Sequence, residues 1–144
     1  MARKKKADPA PRLIAIEGPI GVGKSTLARY LAKRLGALCH KAQWETAQTE
    51  LFAANAVSIE PMATPDFPKV TKGRPKIVKK GRKFGAMVER MYSLKVSAPV
   101  VADNSFACTM AMDVKMKGMD RWRMSELCVY QVKDGKIVSE QFFL

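Results

Sequence analysis

One histidine, His40, and three cysteines, Cys39, Cys108 and Cys128, are all the imidazole and thiol groups that 144 residues offer. The cysteines are odd in number and lack CxxC spacing, so they read as reduced, buried thiols rather than a zinc site or a disulfide framework. His40 has no visible partner, so neither a Ser-His-Asp triad nor a Cys-His pair is expected. Long apolar runs are missing too. The longest uncharged stretches, such as residues 51–59, fall far short of the roughly 20 apolar residues that span a bilayer, as does the shorter run 96–102. Residues 1–6 are basic, but Asp8, Pro9 and Pro11 stand where a signal peptide would carry its apolar segment, so a cytoplasmic protein that is not membrane-embedded is expected. No internal repeat is visible, and the length suits one domain with a core large enough to fold without staples.

Acidic residues are also scarce: 13 Asp and Glu against 26 Lys and Arg leave a formal charge of +13. The excess is uneven. Residues 1–12 hold five basic groups and one acidic, residues 69–95 hold ten and one, and residues 96–144 hold six of each. Such a field attracts nucleic acid, nucleotides and other anions non-specifically whether or not binding them is the function.

Residues 1–11 read as a disordered basic tail. A short β-branched run at 13–16 and a glycine-rich turn at 18–23 follow, and a helix is predicted from Lys24, with Leu27, Leu31, Leu35 and Leu38 as its apolar stripe. A second helix fits residues 44–54 and a short strand 56–59. Four prolines between 61 and 75 predict a long loop, and a third helix over 77–91 is expected to be basic outside and interrupted or kinked near Gly81 and Gly85. Four strands complete the chain at 94–101, 106–116, 122–132 and 137–143, the last two joined across Lys133-Asp-Gly-Lys136. Helices first and an antiparallel meander last predict an α+β fold with helices packed on one curved sheet.

Two resemblances emerge from this pattern. Ala56-Val-Ser-Ile-Glu-Pro61, the loop ending in Thr71-Lys-Gly73, Val96-Ser-Ala-Pro-Val-Val101 and the run from Val129 through Asp134-Gly-Lys-Ile137 to Phe143 resemble the SnoaL-like branch of the nuclear transport factor 2-like superfamily. The similarity covers residues 38–144. It implies a cone of helices over a strongly bent antiparallel sheet, a cystatin-like roll, with an apolar pocket inside and homodimerisation through the sheet. Upstream, Gly18-Pro-Ile-Gly-Val-Gly-Lys-Ser25 satisfies the P-loop pattern, and residues 14–36 are similar to the start of bacterial deoxynucleoside kinases. In that reading Gly18, Gly21, Gly23 and Thr26 cradle phosphate, Lys24 reaches the terminal phosphates and Ser25 ligates magnesium of a bound ATP.

The two resemblances conflict, because a kinase needs several parallel βα units, a magnesium-binding acid and an arginine-bearing lid, and residues beyond 36 supply none. Glu60-Pro61 superficially matches a kinase pocket acid, but its surroundings fit the SnoaL-like pattern. The expectation is a chimera: residues 12–37 a P-loop-like segment supplying the first helix, residues 38–144 a SnoaL-like domain. Kinase activity is argued against; weak phosphate binding is not, since a helix N-terminus alone can attract an anion.

Strand parity then selects pocket candidates. Met124, Glu126, Cys128 and Tyr130 share one face of their strand, and Phe106, Cys108, Met110 and Met112 one face of its neighbour. A carboxyl among such neighbours should be poorly solvated, so Glu126, with Tyr130, is the candidate catalytic acid or base; a structural carboxyl is the alternative. Resemblance to ketosteroid isomerases places an oxyanion-hole acid close to Glu126. Met110, Met112, Met124, Cys128 and Trp44 are expected around the ligand, with Trp44 read as core before ligand platform. Glu140 is a weaker candidate, and Asp113, on the opposite parity, should face solvent or a dimer partner. The reading is a domain that encloses a small apolar molecule and needs no cofactor, with isomerase, cyclase or hydratase chemistry if it is an enzyme. The rivals are a P-loop nucleotide-binding protein requiring ATP and magnesium, and a basic nucleic-acid-binding module.

Overall fold

The computed structural model describes residues 22–144, with side chains from residue 26. The strand expected at 13–16 and the glycines Gly18 and Gly21 lie outside the described residues. Helix α1 (Val22–His40) carries Gly23, Lys24 and Ser25 in its first turn, and no side chain of these is described. Helix α2 (Trp44–Leu51) runs without a loop into strand β1 (Phe52–Ile59). Strand β2 (Val70–Lys72), helix α3 (Arg74–Met87) and strand β3 (Val88–Val96) follow, then β4 (Val100–Ala102), β5 (Ser105–Met116), β6 (Arg121–Lys133) and β7 (Lys136–Phe143).

The apolar spacing along α1 buries Ala28, Leu31, Ala32, Leu35, Leu38 and Cys39. Leu27, expected in the stripe, is 36% exposed instead, its place one turn up being taken by Ala28. It lies against the hairpin turn at Gly135, where an added Cβ would stand 3.5 Å from Leu27 Cδ2. In α3 the predicted breaks do not occur. The helix starts after Gly73, held at φ +94°, takes Pro75 in its first turn where no N–H is missed, and continues through Gly81 and Gly85. Gly81 allows close approach to α2: a Cβ there would stand 3.2 Å from Gln48 Oε1. The expected long loop is shorter than predicted, since β2 and the first turn of α3 occupy its end. The third helix also ends sooner, at Met87, where β-branched Val88 turns the chain directly into β3.

The strands form one sheet in the order β2-β1-β7-β6-β5-β3, with β4 also paired to β5. An all-antiparallel sheet was expected; the sheet is mixed, because β1 pairs parallel to β7 through Ser58↔Glu140 and Ile59↔Gln141. This contact joins residues about eighty positions apart, and no local pattern encodes its direction. The β5–β6–β7 meander is antiparallel as predicted, with Cys108↔Cys128, Met110↔Glu126 and Tyr130↔Glu140 as cross-strand partners. The β6–β7 turn places Asp134 at φ 50° and Gly135 at φ 78°, the two positive values that a tight hairpin requires. Even-numbered residues of β5 and β6 face the helices, and the core between them includes Phe52, Ile77, Phe106, Tyr130 and Ile137. Phe106 and Tyr130 stack with ring centroids 4.8 Å apart. Among the described residues no helix is long and apolar enough to cross a membrane.

Candidate active site

Between the helices and the inner sheet face lies a cavity of about 430 Å³. Its walls are mainly Trp44 and Phe84, Met87, Met110, Met112 and Met124, with Trp122 from β6 and Phe142 from β7. Trp44 meets Phe84 edge to face at 6.1 Å, so it serves as wall and as packing at once. Of the residues that parity selected, Met110, Met112, Met124, Glu126 and Tyr130 line the cavity. Cys128 does not: it is 1% exposed in the core behind the wall and reaches the site only through its thiol, 3.9 Å from Glu126 Oε1.

Glu126 projects from the middle of β6, opposite Met110. Burial pushes its carboxyl up to about 7; the charges of Glu60 and Glu140 add to the rise, while Lys80 and the Cys128 thiol oppose it. Glu140, the weaker sequence candidate, is more deeply set. Burial raises it to about 6, held back by a hydrogen bond from Ser58 and by Lys80. Ser58 Oγ donates to Glu140 Oε1 at 2.6 Å, and Lys80 Nζ donates to Ser58 Oγ at 2.6 Å and to Glu60 Oε1 at 2.6 Å. A lysine thus neutralises one carboxylate directly and supports a second through a hydroxyl, with its ammonium 5.7 Å from the Phe142 ring centroid.

Ser58, Glu60 and Lys80 were not selected from the sequence, although a signal was available for each. Ala56 and Ser58 share one face of β1 and are buried, and Glu60, one residue past the strand's end, continues their spacing of two. Lys80 falls three residues after the buried Ile77 and four before Phe84, on the inward stripe of α3, where a uniformly basic outer face had been read. Gln48 of α2 also lines the cavity, and its Oε1 has no hydrogen-bond partner among the described residues.

The other titratable groups differ in character. The Tyr130 hydroxyl is raised well above its usual range, chiefly by burial, so it stays protonated and keeps its O–H to donate. The Cys39 thiol, on the α1 wall, is pushed up to about 12 by burial, which leaves it a poor nucleophile near neutral pH. Asp113 lies on the outer sheet face, covered by Arg121 at 2.7 Å and Arg123 at 3.0 Å; the Arg121 hydrogen bond above all holds it down to about 2. Glu126 and Glu140 therefore remain as the groups able to exchange protons near neutrality. Among the described residues no three His, Cys, Asp or Glu side chains cluster to hold a metal ion.

The sequence profile of the SnoaL-like domain matches residues 27–144. The chain belongs to the SnoaL-like domain family. The match begins inside α1, ahead of the junction expected at 36–38, so most of the first helix falls within the SnoaL-like domain itself. Solved structures carry the same fold. A protein assigned as a SnoaL-like polyketide cyclase from Mesorhizobium loti is 27% identical over 80% of this chain and 97% of its own, with a TM-score of 0.73. A second protein so assigned, from Jannaschia sp. CCS1, is 13% identical over 96% of this chain and 90% of its own, with a TM-score of 0.68. A protein with a cystatin-like fold from Xanthomonas campestris is 13% identical over 79% and 87%, also with a TM-score of 0.68. Among curated proteins, none matches this SnoaL-like chain.

Proposed function

We propose that this SnoaL-like domain binds a small, largely apolar carbon acid in the 430 Å³ cavity and moves a proton on it without a cofactor, as an isomerase or cyclase would. The observation that carries the reading is Glu126: a carboxyl in an apolar wall, shifted to about 7, and so divided between acid and base forms near neutral pH. Its carboxylate would take a proton from an activated carbon, and the resulting acid would return it to another carbon or to oxygen. Tyr130, kept protonated, would donate a hydrogen bond to the oxygen on which charge develops. Glu140, Ser58, Lys80 and Glu60 set the field around Glu126 and are positioning residues. The Mesorhizobium protein's assignment as a cyclase agrees with this class of chemistry. The P-loop alternative falls on residues whose side chains are not described, with Thr26 excepted.

The test is deuterium exchange from solvent into a panel of apolar cyclic ketones, followed by proton NMR. Catalysed exchange should rise with pH through an apparent pKa near 7 and fall by about 10²-fold or more in Glu126→Gln. Exchange insensitive to that substitution would refute the role of Glu126.

The outer sheet face supports the homodimer that the resemblance implies. Leu127 and Phe143 are cross-strand partners there, and both are exposed.

A further inference from the structure

The charge inside the cavity is opposite in sign to that of the chain. With twice as many basic as acidic residues in the sequence, a lining drawn at random would be basic. Instead Glu60, Asp66, Glu126 and Glu140 line the cavity against a single lysine, Lys80. The partners of these acids are mostly supplied. Lys80 holds Glu60 at 2.6 Å, Ser58 holds Glu140 at 2.6 Å, and Lys83 holds Asp66 at 3.4 Å from the rim. Glu126 is the exception, because among the described residues the one side chain bonded to it is the neutral Cys128 thiol. The rings of Trp44, Phe84 and Phe142 stand in the same walls, and ring faces attract cations.

We propose that the molecule bound in this cavity carries one positive charge, a protonated or quaternary amine on an apolar body, and that its cation is the counterion of Glu126. This rests on the reading of the cavity as the ligand site and narrows the substrate to an apolar carbon acid bearing a basic nitrogen. Binding and the state of Glu126 are then linked. The cation favours the ionised carboxylate, so loading the ligand releases a proton and leaves Glu126 as the base. The other groups facing Glu126 do not replace the cation. Tyr130 and Cys128 on its own strand and Cys39 on α1 are held protonated, with raised pKa values; Cys108 on β5, lowered by its hydrogen bond with Cys128, carries no positive charge in either state; Glu60 and Glu140 oppose ionisation; Lys80, the one ammonium in the lining, is occupied by Glu60 and Ser58.

The experiment compares benzyltrimethylammonium with neopentylbenzene, its neutral carbon isostere, by calorimetry or ligand-observed NMR. The ammonium keeps its charge at every pH, so any pH dependence belongs to the protein. It should bind about tenfold or more tighter than the isostere near pH 8.5, with the preference lost near pH 5, where the ionised fraction of Glu126 is lower by about a hundredfold. The preference should also vanish in Glu126→Gln. The pH arm stands without the variant, should the variant fold poorly. An isostere that binds as tightly as the ammonium near pH 8.5 would overturn the cation while leaving the cavity reading intact. A preference unchanged at the lower pH would overturn the role of Glu126. Failure of both probes to bind would overturn the cavity reading and this inference with it.

Discussion

Glu126 and Glu140 carry opposite obligations to folding and to chemistry. In the unfolded chain a glutamate titrates near about 4.3, whereas in the fold these two are raised to about 7 and about 6. The folded state therefore holds more protons between those values, and its stability falls as pH rises through that window. Below the unfolded pKa both states are protonated and their favourable contribution is complete; above the folded pKa it is gone. Glu126→Gln removes the ionisable group and keeps the shape, so it should raise stability near pH 8 by about 1–3 kcal/mol and flatten the upper part of the pH slope. Denaturant titrations of both proteins across that range would check it, and an unchanged slope would show a well-solvated carboxyl. Asp113 has the reverse sign. Held down to about 2 by its arginines, it favours the fold above the ordinary carboxylate range and loses that contribution only in strong acid.

At the scale of elements, the first helix shows how a stripe is decided by what lies opposite. Leu31, Leu35 and Leu38 are buried against the sheet, while Leu27 sits over the Asp134-Gly135 turn and stays partly wet. Leu35→Ala should cost about 2–5 kcal/mol, because it empties part of the core and of the cavity wall, whereas Leu27→Ala should cost about 1 kcal/mol or less. Thermal or denaturant melts of the two variants separate them. Equal losses would mean that the helix packs as evenly as its leucine spacing suggested. The third helix behaves differently. Its exposed face is basic, with Lys76, Lys79, Arg82 and Lys83, and is tied down by Arg82 to Glu45 and by Lys83 to the Asp66 loop. Its inward stripe puts one lysine where a charge would be costly without the two oxygens that receive it.

The whole molecule divides its charge by side. Helices α1 and α3 carry basic residues outward while the cavity beneath them gathers acids, and the outer sheet face joins a charged end to an apolar one. At the charged end Tyr92 lies between Arg90 and Arg121, at 4.8 and 3.9 Å. Towards the other end Leu127 and Phe143 are exposed side by side. A homodimer through that face should be seen by light scattering after gel filtration, and Leu127→Glu should convert it to monomer, since a carboxylate pair would be desolvated at the joint. A monomer at every concentration in the parent protein would reject the sheet face as the joint.

Much of this was legible in the chain because its rules are local. Alternation along β5 and β6 fixes which side chains share a face, and so grouped Glu126 with Met124 and Tyr130 before any partner strand was known. Asp134-Gly135 determined its own hairpin, through positive φ values that few other residues accept. The remainder depended on contacts distant in sequence. That β1 runs parallel beside β7, that Lys80 of α3 meets Ser58 of the first strand and Glu60 just past its end, and that Cys128 lies behind the wall rather than in it were decided by packing. Parity could place an acid on the inner face. Only the assembled cavity, by burying the Glu126 carboxyl and assigning Lys80, the one lysine of its lining, to Glu60 and Ser58, left Glu126 without a cationic partner among the described residues.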